Sequence, residues 1–499
     1  MELQFHKTGI ACLKTVKWDV QTQEQTQEVK LPEGLPDIGR VLGAWGQPVL
    51  RGKRWQSEDV GVSCGAMVWV LYAPEDGGPV RTVETWIPME LSWQIPPSKQ
   101  DGKLVANCLL RSADARMTSA RRLMVRANMA VQVQAYEQDQ MDIYQPDALP
   151  EDIQVLKKTH TVLLPMESGE KAFQLDEELA LPDSCPKPQS FLRFCLQPEI
   201  GDKKVMSGKV VFRGTALVHT LYESENGELC CWDFEVPFSQ YTDLDGDYSE
   251  QATAQICPQV TSLETETDEE GRIRLKAGIT CQFTAYDNRM VELVEDAFSP
   301  IRKVEPQVQS LVLPAVQNLE DPQVLLSHTV PAQATNVVDS AVYVDQVRRQ
   351  VLPEQVHLQV PAMAQMLYYD ADGSLQYSTA RWEDGLSMDE KKNTDLEVCI
   401  WPMGRPETHM EENGVQAQQN VWLHTLETST MPLPMVTALE LGQAGAKDPN
   451  RPSVVLRRVD KDGVWKIAKQ TGSSLEAIFT ANGLKEEPQA GQMLLIPIL

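Results

Sequence analysis

Leu71-Tyr72, which closes the apolar run Ala66-Met67-Val68-Trp69-Val70-Leu71-Tyr72 and is followed by Gly77, returns as Leu221-Tyr222 followed by Gly227, 150 residues further on. Other landmarks keep the same offset: Leu3-Gln4 answers to Ile153-Gln154, Glu28-Val29-Lys30-Leu31-Pro32 to Glu178-Leu179-Ala180-Leu181-Pro182, and Ala135-Tyr136 to Ala285-Tyr286. A more worn copy stands at Leu367-Tyr368 with Gly373. Repeats of this length are whole domains, well beyond the 20–50 residues of a solenoid unit.

Within the repeats the periodicity is that of strands. Met129, Val131, Val133 and Ala135 alternate with Ala130, Gln132 and Gln134, and Ile279, Cys281, Phe283 and Ala285 alternate with Thr280, Gln282 and Thr284. A period of two predicts a strand with one buried face and one wet face. Ala66–Tyr72 is apolar at nearly every position, which predicts a central strand covered on both faces. The turn residues Pro74–Gly78, Ser224–Gly227 and Asp370–Gly373 then predict a hairpin in each copy. Long amphipathic helical patterns are scarce before residue 460, so the expected fold is mainly β, with tandem β-sandwich or barrel-like repeats, two clear and one degenerate.

Proline and polar residues gather at Gln145–Asp152, Ser299–Pro314 and Gly442–Pro452. These boundaries predict repeats over 1–150, 151–300 and 301–445, and a separate unit over 453–499. A chain of 499 residues has room for three or four domains. With 42% hydrophobic and 23% charged residues, each can bury a core.

A net charge of −26 argues against a nucleic-acid binder, which needs surplus Lys and Arg to neutralise phosphate. No run reaches the roughly 18 apolar residues of a membrane span, and Met1–Lys7 lacks the pattern of a signal peptide. The chain is therefore expected to stay in the cytosol where it is made. Its ten cysteines form no C-x-x-C pair, and the adjacent Cys230 and Cys231 would point to opposite faces of a strand, so all ten are expected to be reduced.

The C-terminal stretch follows a different logic. Val454-Val455-Leu456 predicts a short strand, Val464–Gly472 a helix with a glycine stop, Ser474 the cap of a second helix through Leu475, Ile478 and Phe479 closed by Asn482-Gly483, and Met493–Pro497 a last strand. The order is βααβ, with Trp465, Ile467, Ala468, Leu475, Ile478 and Ile496 expected to form most of a thin core.

Trp465–Ala468, Ser474–Ile478, Ala481–Leu484 and Gly491–Pro497 resemble a LysM domain nearly from end to end. The loop before the first helix departs from that family: LysM domains usually read Gly-Asp-Thr-Leu-Trp, and this chain reads Lys461-Asp462-Gly463-Val464-Trp465. In LysM domains this loop helps to cradle N-acetylated sugars, so the change weighs against glycan binding. The repeats in turn resemble the SPOCS domain of spore-forming Firmicutes, through Pro36-Asp37-Ile38, the Gly65–Tyr72 strand, Ile87-Pro88 with its counterpart Val236-Pro237, and the final alternating strand. SPOCS repeats followed by LysM is the layout of SipL-type spore coat morphogenesis proteins. That resemblance implies a non-enzymatic scaffold whose LysM domain binds the coat ATPase, stage IV sporulation protein A, at the forespore surface in the mother-cell cytosol. Other coat proteins are further partners it allows. The implied docking surface is the groove formed by Lys461, Asp462, Gly463, Val464, Trp465, Ile467, Asn482, Gly483 and Leu484. The alternative that LysM alone implies is a cell-wall or cortex protein binding peptidoglycan or N-acetylglucosamine oligomers.

No catalytic constellation is visible: the chain has no G-x-x-x-x-G-K-[ST], H-E-x-x-H or G-x-S-x-G. The seven histidines, at 6, 160, 219, 328, 357, 409 and 424, lie too far apart in sequence for a local metal pair. Asp243–Glu250 gathers four carboxylates but lacks the glycine and glutamate positions of an EF-hand, and reads as an acidic surface turn. Trp69, Trp86 and Trp93 read as packing residues of strands. No enzyme, cofactor or metal is expected.

Overall fold

The computed structural model describes residues 2–97, 102–206, 208–268, 270–312, 315–391, 393–429, 432–445, 452–460 and 463–498. Its architecture follows from the hairpins that the repeat marks. Gly77, Gly227 and Gly373 sit at φ of 76°, 79° and 73°, a left-handed conformation that strains any residue with a Cβ. Their amides close the turns on Pro74, Ser224 and Asp370 at 3.2, 2.9 and 3.1 Å.

After the short β1 (Glu2–Gln4), the first unit comprises β2 (His6–Lys30), β3 (Ile38–Gln56), β4 (Asp59–Pro74), β5 (Arg81–Gln94), β6 (Lys103–Ser119) and β7 (Arg122–Gln145). These strands form two antiparallel three-stranded sheets, β3-β4-β5 and β2-β7-β6. The second unit repeats the plan with β8 (Gln154–Leu179), β9 (Pro188–Met206), β10 (Lys209–Ser224), β11 (Leu229–Asp243), β12 (Thr253–Thr267) and β13 (Ile273–Phe298), paired as β9-β10-β11 and β8-β13-β12.

Next come β14 (Arg302–Val312), β15 (Val316–Glu320), β16 (Gln323–Val330), β17 (Ala334–Val344), β18 (Arg348–Leu352), β19 (Gln355–Asp370), β20 (Leu375–Asp389), β21 (Thr394–Glu411), β22 (Gly414–Ser429) and β23 (Pro432–Ala444). Here β17, β18 and β20 flank β19, while β15, β16 and β21 flank β22, so the third copy keeps the plan of its siblings. What is worn is continuity. The long first strand is interrupted between β15 and β16 at Asp321-Pro322, where proline has no N–H to give a ladder.

In all three units the odd-phase residues of the last strand fill the sandwich core. Leu123, Val125, Met129, Val131 and Val133 pack against Val62, Ala66, Val68 and Val70 of β4. The even-phase residues correct the expectation of a wet face: Gln132, Gln134, Thr280, Gln282 and Thr284 are all buried. Their face lies against the neighbouring units. Gln282 Nε2 donates to the Ala106 carbonyl at 2.7 Å, and Gln132 Nε2 to that of Val398 at 2.8 Å.

A second set of bonds runs the other way round the ring. Gln47 Oε1 accepts from the amide of Leu196 at 2.9 Å, Gln197 Nε2 donates to Pro402 at 2.8 Å, and Tyr343 Oη accepts from the amide of Gly46 at 3.0 Å. Gln47, Gln197 and Tyr343 occupy corresponding places, opposite Met67, Leu217 and Met363. Each unit therefore touches both others. Outside the ring, β14 and β23 leave the third unit and form a sheet with β1. The order β1-β23-β14 ties the start of the chain to the segments after the second and third units.

The stretch expected to link the repeats to the tail lies, over 446–451, outside the described residues. Beyond it β24 (Val454–Arg458), α1 (Gly463–Thr471), α2 (Leu475–Asn482) and β25 (Met493–Pro497) give the order strand, helix, helix, strand, with β24 and β25 antiparallel.

Candidate partner-binding site

The C-terminal unit owes its shape to local signals. Ser474 caps α2, its Oγ accepting from the Ala477 amide at 3.1 Å. Gly483, left-handed at φ 60°, ends the helix: its amide bonds Thr480 at 3.2 Å and that of Leu484 bonds Phe479 at 3.0 Å, the paired closure that glycine permits at a helix end. Asn482 then fastens the helix to the last strand, exchanging two bonds with the Leu495 backbone at 2.6 and 2.8 Å.

The residues expected to form a docking groove do not share one surface, and Gly463 serves only to open α1 at a left-handed φ of 72°. Val464 and Ile467 are 1% and 6% exposed and belong to the core, together with Val459, Ala468, Ile478, Leu494 and Ile496. A partner cannot reach them without unfolding the unit. Trp465 is engaged within the chain. Its ring meets Phe298 of β13 edge to face at 4.8 Å, and its Nε1 donates to Asp296 Oδ2 at 2.9 Å. Lys469 Nζ lies 2.6 Å from Asp296 Oδ1, and the Leu475 amide donates to Gln154 Oε1 at 3.0 Å, so the unit is seated on the end of the second repeat. Gly483 is open to solvent and Asn482 and Leu484 are half-buried beside it. Lys461 and Asp462 lie outside the described residues.

Sequence reasoning missed the outer face of β24 and β25. Val454, Leu456, Met493 and Leu495 are 50%, 63%, 55% and 45% exposed, with Leu456 directly opposite Leu495. Asn482, bonded to Leu495, makes this face continuous with Asn482–Leu484. The signal was present: both strands are apolar at consecutive positions, and a two-stranded sheet with only one covered face must then leave apolar side chains in water.

A buried charged cluster joins the second and third units. Asp339, fully buried, takes Arg193 at 2.8 Å on one oxygen, and His219 Nε2 at 3.1 Å and Arg405 at 3.0 Å on the other. His219 Nδ1 meets Asp233 at 2.7 Å. Burial works against the Asp339 carboxylate, but Arg193 and His219 outweigh it and hold its pKa far below the usual range. Donor atoms of His219, Cys231 and Asp339 lie within 4.8 Å of one another, yet the two guanidiniums supply the positive charge a cation would bring. Burial also pushes the Cys231 thiol well up, away from the thiolate that metals bind. The cluster is an ion-pair lock between repeats.

The other sequence features settle into the framework. Trp69 and Trp93 are core residues, and Trp86 is half-buried under the Arg51 guanidinium at 4.8 Å. The acidic turn is fixed by Glu167, which accepts from the Asp245 amide and the Tyr248 hydroxyl. All ten cysteines are free. Among the described residues, no helix is long and apolar enough to cross a membrane.

Comparison with protein families places residues 189–267 in the SipL family's SPOCS domain. The matched stretch runs from β9 through β12, the inner four strands of the second unit. The inner strands of the second unit are thus similar to a SPOCS domain. This similarity to the SipL type of spore coat protein points to a role in sporulation. No curated protein and no solved structure matches it.

Proposed function

We propose that this protein is a non-enzymatic morphogenetic scaffold of endospore coat assembly, which docks through its LysM-like C-terminal unit on the coat ATPase, stage IV sporulation protein A, at the forespore surface in the mother-cell cytosol. The observation that carries this reading is the SPOCS match within a ring of three units, joined to a small unit that exposes four large apolar side chains. A rigid, interlocked ring suits a scaffold. The exposed sheet face suits a protein partner, because apolar patches with a polar rim are where binding energy concentrates.

The docking surface is accordingly moved from the buried Val464 and Ile467 to Leu456, Met493 and Leu495, with Asn482, Gly483 and Leu484 at its margin. The peptidoglycan reading is the weaker one. Trp465, the ring most available for stacking on a sugar in this unit, is turned onto Phe298 and Asp296. Calorimetric titration of the full chain with the coat ATPase and, separately, with N-acetylglucosamine oligomers tests the choice. Binding to the ATPase alone supports the scaffold, and binding to the glycan alone sinks it.

A further inference from the structure

The three units meet around a cavity of about 560 Å³ to which each contributes wall. Gln132, Gln282 and His424 hold corresponding places, paired across their hairpins with Asn107, Cys257 and Cys399, and His424 lines the cavity. The two glutamines reach over to the backbone of Val398 and Ala106, in adjacent units. By the same rule residue 424 should reach Ile256, and it does not. His424 Nδ1 is bonded instead to Asp321, whose other oxygen holds Lys203 at 3.1 Å. The third junction therefore lacks the side-chain bridge that closes this place in the first two.

Unsatisfied groups collect at that opening. His424 is 1% exposed and its Nε2 has no partner; Gln255, 4% exposed and next to Ile256, has an unpartnered Oε1; Trp422 has an unpartnered Nε1. All three residues line the cavity. Buried polar atoms nearly always have partners, so three without one in residues lining a single cavity point to an occupant. The space far exceeds the roughly 30 Å³ of one water.

The wall sets the chemistry of that occupant. With Nδ1 donating to Asp321, His424 Nε2 is an acceptor, as is Gln255 Oε1, while Trp422 offers an N–H. The charged groups on the inner wall already have partners, Lys203 with Asp321, Arg193 and Arg405 with Asp339, and Glu199 with Gln197 and Gly404, while Asp202, also on the wall, is exposed. No buried charge on the wall is left unpaired to invite an ion. Trp401, edge-on to His424 at 5.8 Å, adds an aromatic wall.

We propose that the cavity between the three units binds a small neutral polyol of monosaccharide or cyclitol size, held by His424, Gln255 and Trp422. The site is independent of the C-terminal docking surface. The test titrates the full chain with glucose, N-acetylglucosamine and myo-inositol, followed by tryptophan fluorescence and ligand-detected NMR. At least one compound should bind. His424→Gln, which restores the residue that closes the other two junctions, should weaken that binding at least tenfold while the melting temperature stays level or rises. Trp422→Phe removes the indole N–H together with the pyrrole half of the ring and should weaken binding as well. Failure of all three compounds to bind would overturn the proposal, and so would equal binding by wild type and both variants, which would locate the sugar elsewhere.

Discussion

Asp296, at the end of the second repeat, receives the indole N–H of Trp465 at 2.9 Å and thereby fixes the C-terminal unit to the ring. Lys469 shares the carboxylate, but it is 41% exposed and adds little to the clamp. Asp296→Ala should weaken the docking by about 1.5–3 kcal/mol, the worth of a hydrogen bond to a charged group. Limited proteolysis should then cut between the ring and the tail faster, with the melting of the ring unchanged.

Asp339 makes the opposite case. Its removal leaves Arg193, 5% exposed, as an unpaired buried cation. Asp339→Ala should cost about 3–5 kcal/mol in denaturant unfolding. The exposed pair Arg126–Asp114 offers a control, since Asp114→Ala should shift stability by no more than about 1 kcal/mol.

Acid should loosen the ring at the third junction. Burial, opposed by Asp321, holds His424 below its ordinary 6.5. A depressed histidine binds its proton more readily unfolded than folded, so its contribution is full above pH 6.5 and falls as pH drops below that value. Asp321 is held at about 2, chiefly because His424 and Lys203 overcome the burial penalty, and its contribution is lost lower still, between the usual carboxylate range and about 2. Wild type should lose stability as pH falls below 6.5, with a slope that steepens toward a ceiling of about 1.4 kcal/mol per pH unit. His424→Gln should flatten that slope in the same urea titrations.

Much of the fold was legible. Leu71-Tyr72 with Gly77 marked three hairpins because only glycine takes their left-handed turn without strain, and Ser474 and Gly483 marked the ends of α2. The interface was not legible, because a glutamine facing water and a glutamine bonded across a domain junction look identical in a strand pattern. Gln132 and Gln282 were read as wet for that reason. His219 and Asp339 meet although they lie 120 residues apart, so no local spacing could announce them. In the tail, the resemblance pointed to Val464 and Ile467 as contact residues, whereas so small a unit needs both for its core.

That core sets a further expectation. Val464→Arg should unfold the C-terminal unit, seen as loss of its helical signal and of Trp465 burial. Leu456→Glu should leave both intact, because its side chain is 63% exposed.

The most direct test of the scaffold reading is calorimetric titration of the coat ATPase into the full chain and into the Leu456→Glu/Leu495→Glu double variant. The account predicts binding by wild type and at least a tenfold loss in the variant at unchanged melting temperature. Equal binding by both would contradict the docking face, and no binding by either would contradict the scaffold itself.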